Sequence, residues 1–175
     1  MIIGRISIFL ICLLIPLAAA TAFDVDGIKS GITMEKVKAI ISTWNFDSIE
    51  EKESHIIAFD YPAKPSYRFY IFNFCDDRLT HIQKGIKPSM KMFIILFDSL
   101  SKTYGHPIDS DSNRSAYQDG TGSDGIDFLW RSGTEYIKLS YRVFSSNDSL
   151  DIHYDIPNRC ATYPNKFKKY LYSTK

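Results

Sequence analysis

The chain is poor in cysteine, has no strong excess of charge of either sign, and past residue 22 has no long apolar run. Its three cysteines fall at 12, 75 and 160, and no two share the short spacing of a zinc site, so a metal centre is poorly supported. Its 21 basic side chains stand against 20 acidic ones, for a net charge of +1. Nucleic-acid binders carry a strong basic excess, and that class is set aside. A membrane-spanning helix needs roughly 20 apolar residues, and no segment of the body of the chain supplies them. No Gly-x-Ser-x-Gly or comparable nucleophile signature occurs. No catalytic constellation is legible, no cofactor is implied, and no enzyme is expected.

What is present begins with residues 1–22, which read as a secretory signal. Arg5 gives the positive start, Ile6 to Leu17 is apolar apart from Ser7, Cys12 and Pro16, and Ala20-Thr21-Ala22 offers a small-x-small cleavage pattern. Phe23 is then the mature start; a cut after Ala20, or retention as an anchor, are the alternatives. Cys12 follows Ile11, not a small residue, which argues against a lipid anchor. Loss of Arg5 balances the formal charges. Cys75 and Cys160 remain in an exported chain and are expected to pair. Localisation is expected to be periplasmic or secreted.

The body of the chain reads as one pattern stated twice. Gly27-Ile28-Lys29 opens a helix-like stretch ending near Thr43-Trp44, and Gly85-Ile86-Lys87 opens another ending at Thr103-Tyr104, about 58–60 residues on. Thr33 caps a helix over 34–44, with Met34, Val37, Ile41 and Trp44 on one stripe. Pro88 or Ser89 starts a second over 89–104, with Phe93, Phe97, Leu100 and Tyr104 on one face and Gly105 ending it.

Strands are expected at His55–Tyr61, Tyr67–Cys75, Leu79–Gln83, Ile126–Trp130, Glu135–Phe144 and Leu150–Ile156. Tyr67–Cys75 carries bulk on both faces and reads as a central strand buried on both sides. Asp76-Asp77, Ser132-Gly133 and Ser146-Asn147 read as turns. Asp109 to Gly125, rich in Ser, Asp and Gly, reads as an irregular surface loop. The expected class is α+β: two tandem helix-plus-antiparallel-strand units, about 27–84 and 85–157, with the helices on one face of an antiparallel sheet. Residues 23–160 would form this domain, and 161–175 a basic aromatic tail.

The last strands alternate strictly. Tyr136, Lys138, Ser140 and Arg142 face one way, as do Asp151, His153 and Asp155 on the next strand. Alternate strand positions lie roughly 6.5–7 Å apart, too wide to hold one metal ion unaided. The plain expectation is a wetted face with cross-strand pairing of the acids to Lys138 and Arg142. The sharper one is a recognition surface made of Tyr136, Lys138, Arg142, Asp151, His153 and Asp155. Asp109-x-Asp111-x-Asn113 begins like a calcium loop, but Arg114 and Gly120 stand where a glycine and a bidentate acid are needed. Asn113-Arg114-Ser115 and Asn147-Asp148-Ser149 are formal glycosylation sequons. The tail alternates Lys166, Lys168, Lys169 and Lys175 with Phe167, Tyr170 and Tyr172, a pattern able to touch an anionic membrane.

Gly27-Ile28-Lys29-Ser30-Gly31-Ile32-Thr33-Met34-Glu35-Lys36-Val37 resembles a motif of small bacterial envelope proteins. That group includes the outer-membrane assembly lipoproteins and domains like the beta-lactamase inhibitory protein. Phe74-Cys75-Asp76-Asp77-Arg78-Leu79 resembles their strand–turn–strand segment, and Tyr104-Gly105-His106-Pro107 with Trp130 is similar to exported relatives. Ile32 and Asp77 depart from the usual Met and Gly, and the lipid-bearing cysteine is missing. The resemblance implies helices on an antiparallel sheet whose other face binds a protein, and implies no activity. The leading functional expectation is an exported, non-catalytic protein-binding module of the inhibitor, immunity or envelope-assembly accessory type. Its partner would be another envelope or secreted protein. A small-ligand or lipid carrier with a pocket between helices and sheet is the alternative, and a small hydrolase built on His153 or His55 the third.

Overall fold

The computed structural model describes residues 23–61, 67–116, 122–144 and 147–160. The signal-like segment, the tail and the tip of the serine-rich stretch lie outside them. The described residues start with a small hairpin of β1 (Asp24–Val25) and β2 (Ile28–Lys29), followed by α1 (Met34–Ile41). Then come β3 (Ser48–Lys52), β4 (His55–Phe59), β5 (Phe69–Cys75) and β6 (Arg78–Ile86). After α2 (Met90–Tyr104) follow β7 (Asp109–Ala116), β8 (Gly122–Ser132), β9 (Glu135–Phe144) and β10 (Asp148–Asp155).

The expectation of two tandem helix-plus-strand units is overturned. The protein is mostly β, and β3 to β10 form one eight-stranded antiparallel sheet in the order β3-β4-β5-β6-β10-β9-β8-β7. Two self-contained units would each leave an inner edge of unpaired N–H and C=O groups. Here β6 and β10 pair with each other over six residues, from Leu150↔Ile86 to Asp155↔His81, and both edges vanish into the sheet interior. The glycine motifs are not helix starts either. Ile28–Lys29 is strand, entered through Asp26 and Gly27 at positive φ, and Gly85 lies within β6.

The outermost strands are the ones the sequence hid. β3 reads Ser-Ile-Glu-Glu-Lys and β7 reads Asp-Ser-Asp-Ser-Asn-Arg-Ser-Ala. Each pairs along one side only, so neither needs an apolar face, and charge on such a strand discourages edge-to-edge aggregation. The stretch from Asp109 is therefore extended strand over most of its length, paired from Asp109↔Leu129 to Ala116↔Gly122. An extended backbone does not wrap an ion as a calcium loop does.

Both helices lie on one face. α1 buries Val37 and Ile41 against Ile56, Tyr70, Phe72 and Ile82. Its amide end is capped twice: Thr33 Oγ1 accepts from Lys36 N, and Asp77 Oδ1 of the β5–β6 turn accepts from Met34 N at 3.1 Å. The α-helix stops at Ile41, a 3-10 turn runs over Ser42–Trp44, and Asn45 at φ 53 ends it. α2 starts on Ser89, whose Oγ accepts from Met92 N, and lays Phe93, Phe97 and Leu100 on Phe128, Trp130 and Tyr141. Gly105 ends it, and its carbonyl accepts from Trp130 Nε1 at 3.0 Å. Tyr154 packs against both apolar clusters and joins them beneath the helices.

Cys75 and Cys160 form a disulfide that ties the end of β5 to the chain beyond β10. Arg159 and Asp76 pair beside it at 2.6 Å. A disulfide indicates a non-reducing compartment. No helix among the described residues is long and apolar enough to cross a membrane.

Candidate functional site

Since the helices cover one side of the sheet, alternate residues of every strand point to the other. Register places them in rows. The central row runs Glu50, Ile57, Ile71, Gln83, His153, Lys138, Leu129 and Asp109 from β3 to β7. On one side of it lie Phe59, Phe69, Gly85, Asp151, Ser140 and Asp127. On the other lie His55, Asn73, His81, Asp155, Tyr136 and Arg131.

All six residues singled out from the sequence share this face. Lys138, Arg142, Asp151, His153 and Asp155 are half-buried, and Tyr136 is buried at 5% exposure. His153 stands directly opposite Lys138 on one side and Gln83 on the other. Among the described residues Asp151 makes no ion pair with Lys138. Asp151 Oδ1 accepts from Gln83 Nε2 at 3.1 Å. Arg142 Nη2 donates to Asp127 Oδ2 at 3.1 Å, and the Ser140 hydroxyl donates to Asp127 Oδ1. Asp155 Oδ1 lies 3.6 Å from His81 Nδ1, and the His81 and His153 rings are 5.5 Å apart.

Burial sets the protonation of the centre. It pushes the Lys138 ammonium below its ordinary range; Asp127, Asp151 and Asp155 oppose that shift and Arg142 adds to it. Burial also drives His153 well below the usual imidazole value, and the charges of Lys138, His81 and Arg142 push the same way. His153 is therefore neutral at pH 7. Burial raises the Tyr67 phenol, and the charge of Asp151 raises it further.

The sequence reading missed the apolar half of the face. Ile57, Phe59, Phe69 and Ile71 form a half-buried shelf beside the charged centre. Phe69 spreads over Gly85, where an added Cβ would lie 3.0 Å from its ring. The signal was in the chain: β5 was expected to be buried on both sides because both faces are bulky. Only Tyr70, Phe72 and Phe74 are under the helices; Phe69 and Ile71 belong to the other side. Asp127, Gln83 and His81 were also missed, since their roles appear only once cross-strand register is known.

Elsewhere, a hollow of about 300 Å³ lies against α1, lined by Gly27, Lys29, Ile32, Lys36, Ala39 and Ile40. Cys75, Asp76 and Cys160 are close enough to share an ion, but both sulfurs are committed to the disulfide. No protein-family model, no curated protein and no solved structure matches the chain.

Proposed function

We propose that this is an exported, periplasmic or secreted module that binds another protein through the helix-free face of its sheet and performs no catalysis. The observation that carries this reading is the breadth of that face. Eight strands at a spacing of roughly 4.8 Å span about 34 Å. With strands of five residues and more, the face covers roughly 600–800 Å² in plan, part of it floored by the buried Asp127, Leu129, Tyr136 and Ser140; a standard protein interface takes ~800 Å² from each partner. It carries the aromatic rings of Phe59 and Phe69 and the guanidinium of Arg142, side-chain types enriched at such interfaces. This accords with the resemblance to that group of envelope proteins, which implies a sheet whose helix-free face binds a protein, as in an inhibitor, an immunity factor or an envelope-assembly accessory.

The carrier reading draws on the hollow at α1, which is at the lower end of the size of ligand pockets. The spaces between helices and sheet, where a carrier pocket was expected, are filled by the two apolar clusters. A hydrolase would need a nucleophile within reach of His153, and the nearby Ser140 hydroxyl is given to Asp127.

The test is affinity capture from an envelope extract, with Ile71→Arg as the face variant and Lys36→Glu on α1 as the control. A stoichiometric protein partner retained by the control and lost with Ile71→Arg supports the reading. A partner held equally by both variants, or a lipid or metabolite extracted in place of a protein, overturns it.

A further inference from the structure

At the centre of the helix-free face two basic side chains, Lys138 and His153, stand opposite each other across β9 and β10. Every carboxylate around them is already engaged: Asp127 with Ser140 and Arg142, Asp151 with Gln83, Asp155 with His81. Among the described residues neither the Lys138 ammonium nor the His153 ring has a hydrogen-bond partner. Arg142 is held by Asp127, which leaves Lys138 and His153 as the two basic groups of this centre without a hydrogen bond among the described residues. A half-buried ammonium offers three donors and no acceptor, and here only solvent is left to accept from it. The apolar shelf begins two strands away, at Ile71 and Phe69.

We propose that the partner presents an Asp or Glu carboxylate to Lys138 and His153, and beside it an apolar side chain that lies on Ile57, Phe59, Phe69 and Ile71. This rests on the protein-binding reading above. An incoming cation would meet the Lys138 ammonium with no protein acceptor on it, and an uncharged acceptor would leave its charge without a partner. A carboxylate meets both requirements, and His153 adds a neutral N–H or, once protonated by the new charge, a second cationic donor.

The probe is a random-peptide display library panned on the purified, disulfide-intact protein. Selected peptides are resynthesised with amidated C-termini, so that any carboxylate belongs to a side chain. The expected motif is an Asp or Glu next to an aromatic or aliphatic residue. Binding should fall more than about tenfold when that acid becomes its amide or when Lys138→Met is made, and should largely survive Lys138→Arg. Circular dichroism checks that both variants are folded. Enriched motifs without an acid, or affinities untouched by a folded Lys138→Met, overturn this inference and leave the protein-binding reading standing. Failure to enrich any sequence overturns both.

Discussion

Glu135 is the residue least at ease in the structure. It is 2% exposed on the helix side of β9, its Oε1 accepts no hydrogen bond among the described residues, and it lies close enough to Tyr104 and Tyr154 to raise both phenols. Burial raises its carboxyl from 4.5 to about 7. The folded state therefore holds a proton that the unfolded chain releases, so stability falls as pH rises from about 4.5 to about 7 and is level above that. The loss is at most about 3 kcal/mol. Glu135→Gln should flatten that slope and stabilise the protein at pH 8, as measured by urea unfolding at pH 5 and pH 8. At Gly85 the absent Cβ makes room for Phe69, and the ring cannot move without disturbing the shelf. Gly85→Ala should cost about 1–3 kcal/mol and weaken partner binding, read by the same unfolding assay and by calorimetry.

Among the elements, those with a buried face were legible and those at the rim were not. The stripe of α2 and its stop at Gly105 were plain because packing and capping act locally in sequence. The alternation of β9 and β10 named the correct face of both strands, and six residues chosen from it lie together. β3 and β7 were invisible because an edge strand has no apolar side to betray it. The repeat of glycine motifs misled for a related reason: Gly27 is a hairpin turn and Gly85 a gap under an aromatic ring, two uses of one residue. The β5–β6 turn shows local and distant roles combined. Asp77 sits at φ 57 and also caps α1. Asp77→Gly keeps the turn and loses only the cap, whereas Asp77→Ala loses both. The alanine variant should be the less stable by about 1 kcal/mol in thermal melts.

At the scale of the molecule, the β6–β10 pairing makes one sheet, and the disulfide closes 85 residues of chain around it. Replacing both cysteines by serine should lower stability by as much as about 4–5 kcal/mol in denaturant unfolding. The same continuous sheet gives the protein two unlike sides. One is filled by two helices and two apolar clusters; the other is a wide surface of half-buried aromatic, aliphatic and charged groups. Isoleucines and leucines report on both sides, which allows the account to be tested in a single spectrum. With a protein partner in hand, methyl resonances should be followed through its titration. Ile57, Ile71 and Leu129 should shift and broaden while Ile94 and Ile95 on α2 and Ile40 on α1 stay in place. Shifts confined to those helix methyls, with the three sheet methyls unmoved, would contradict binding through the helix-free face.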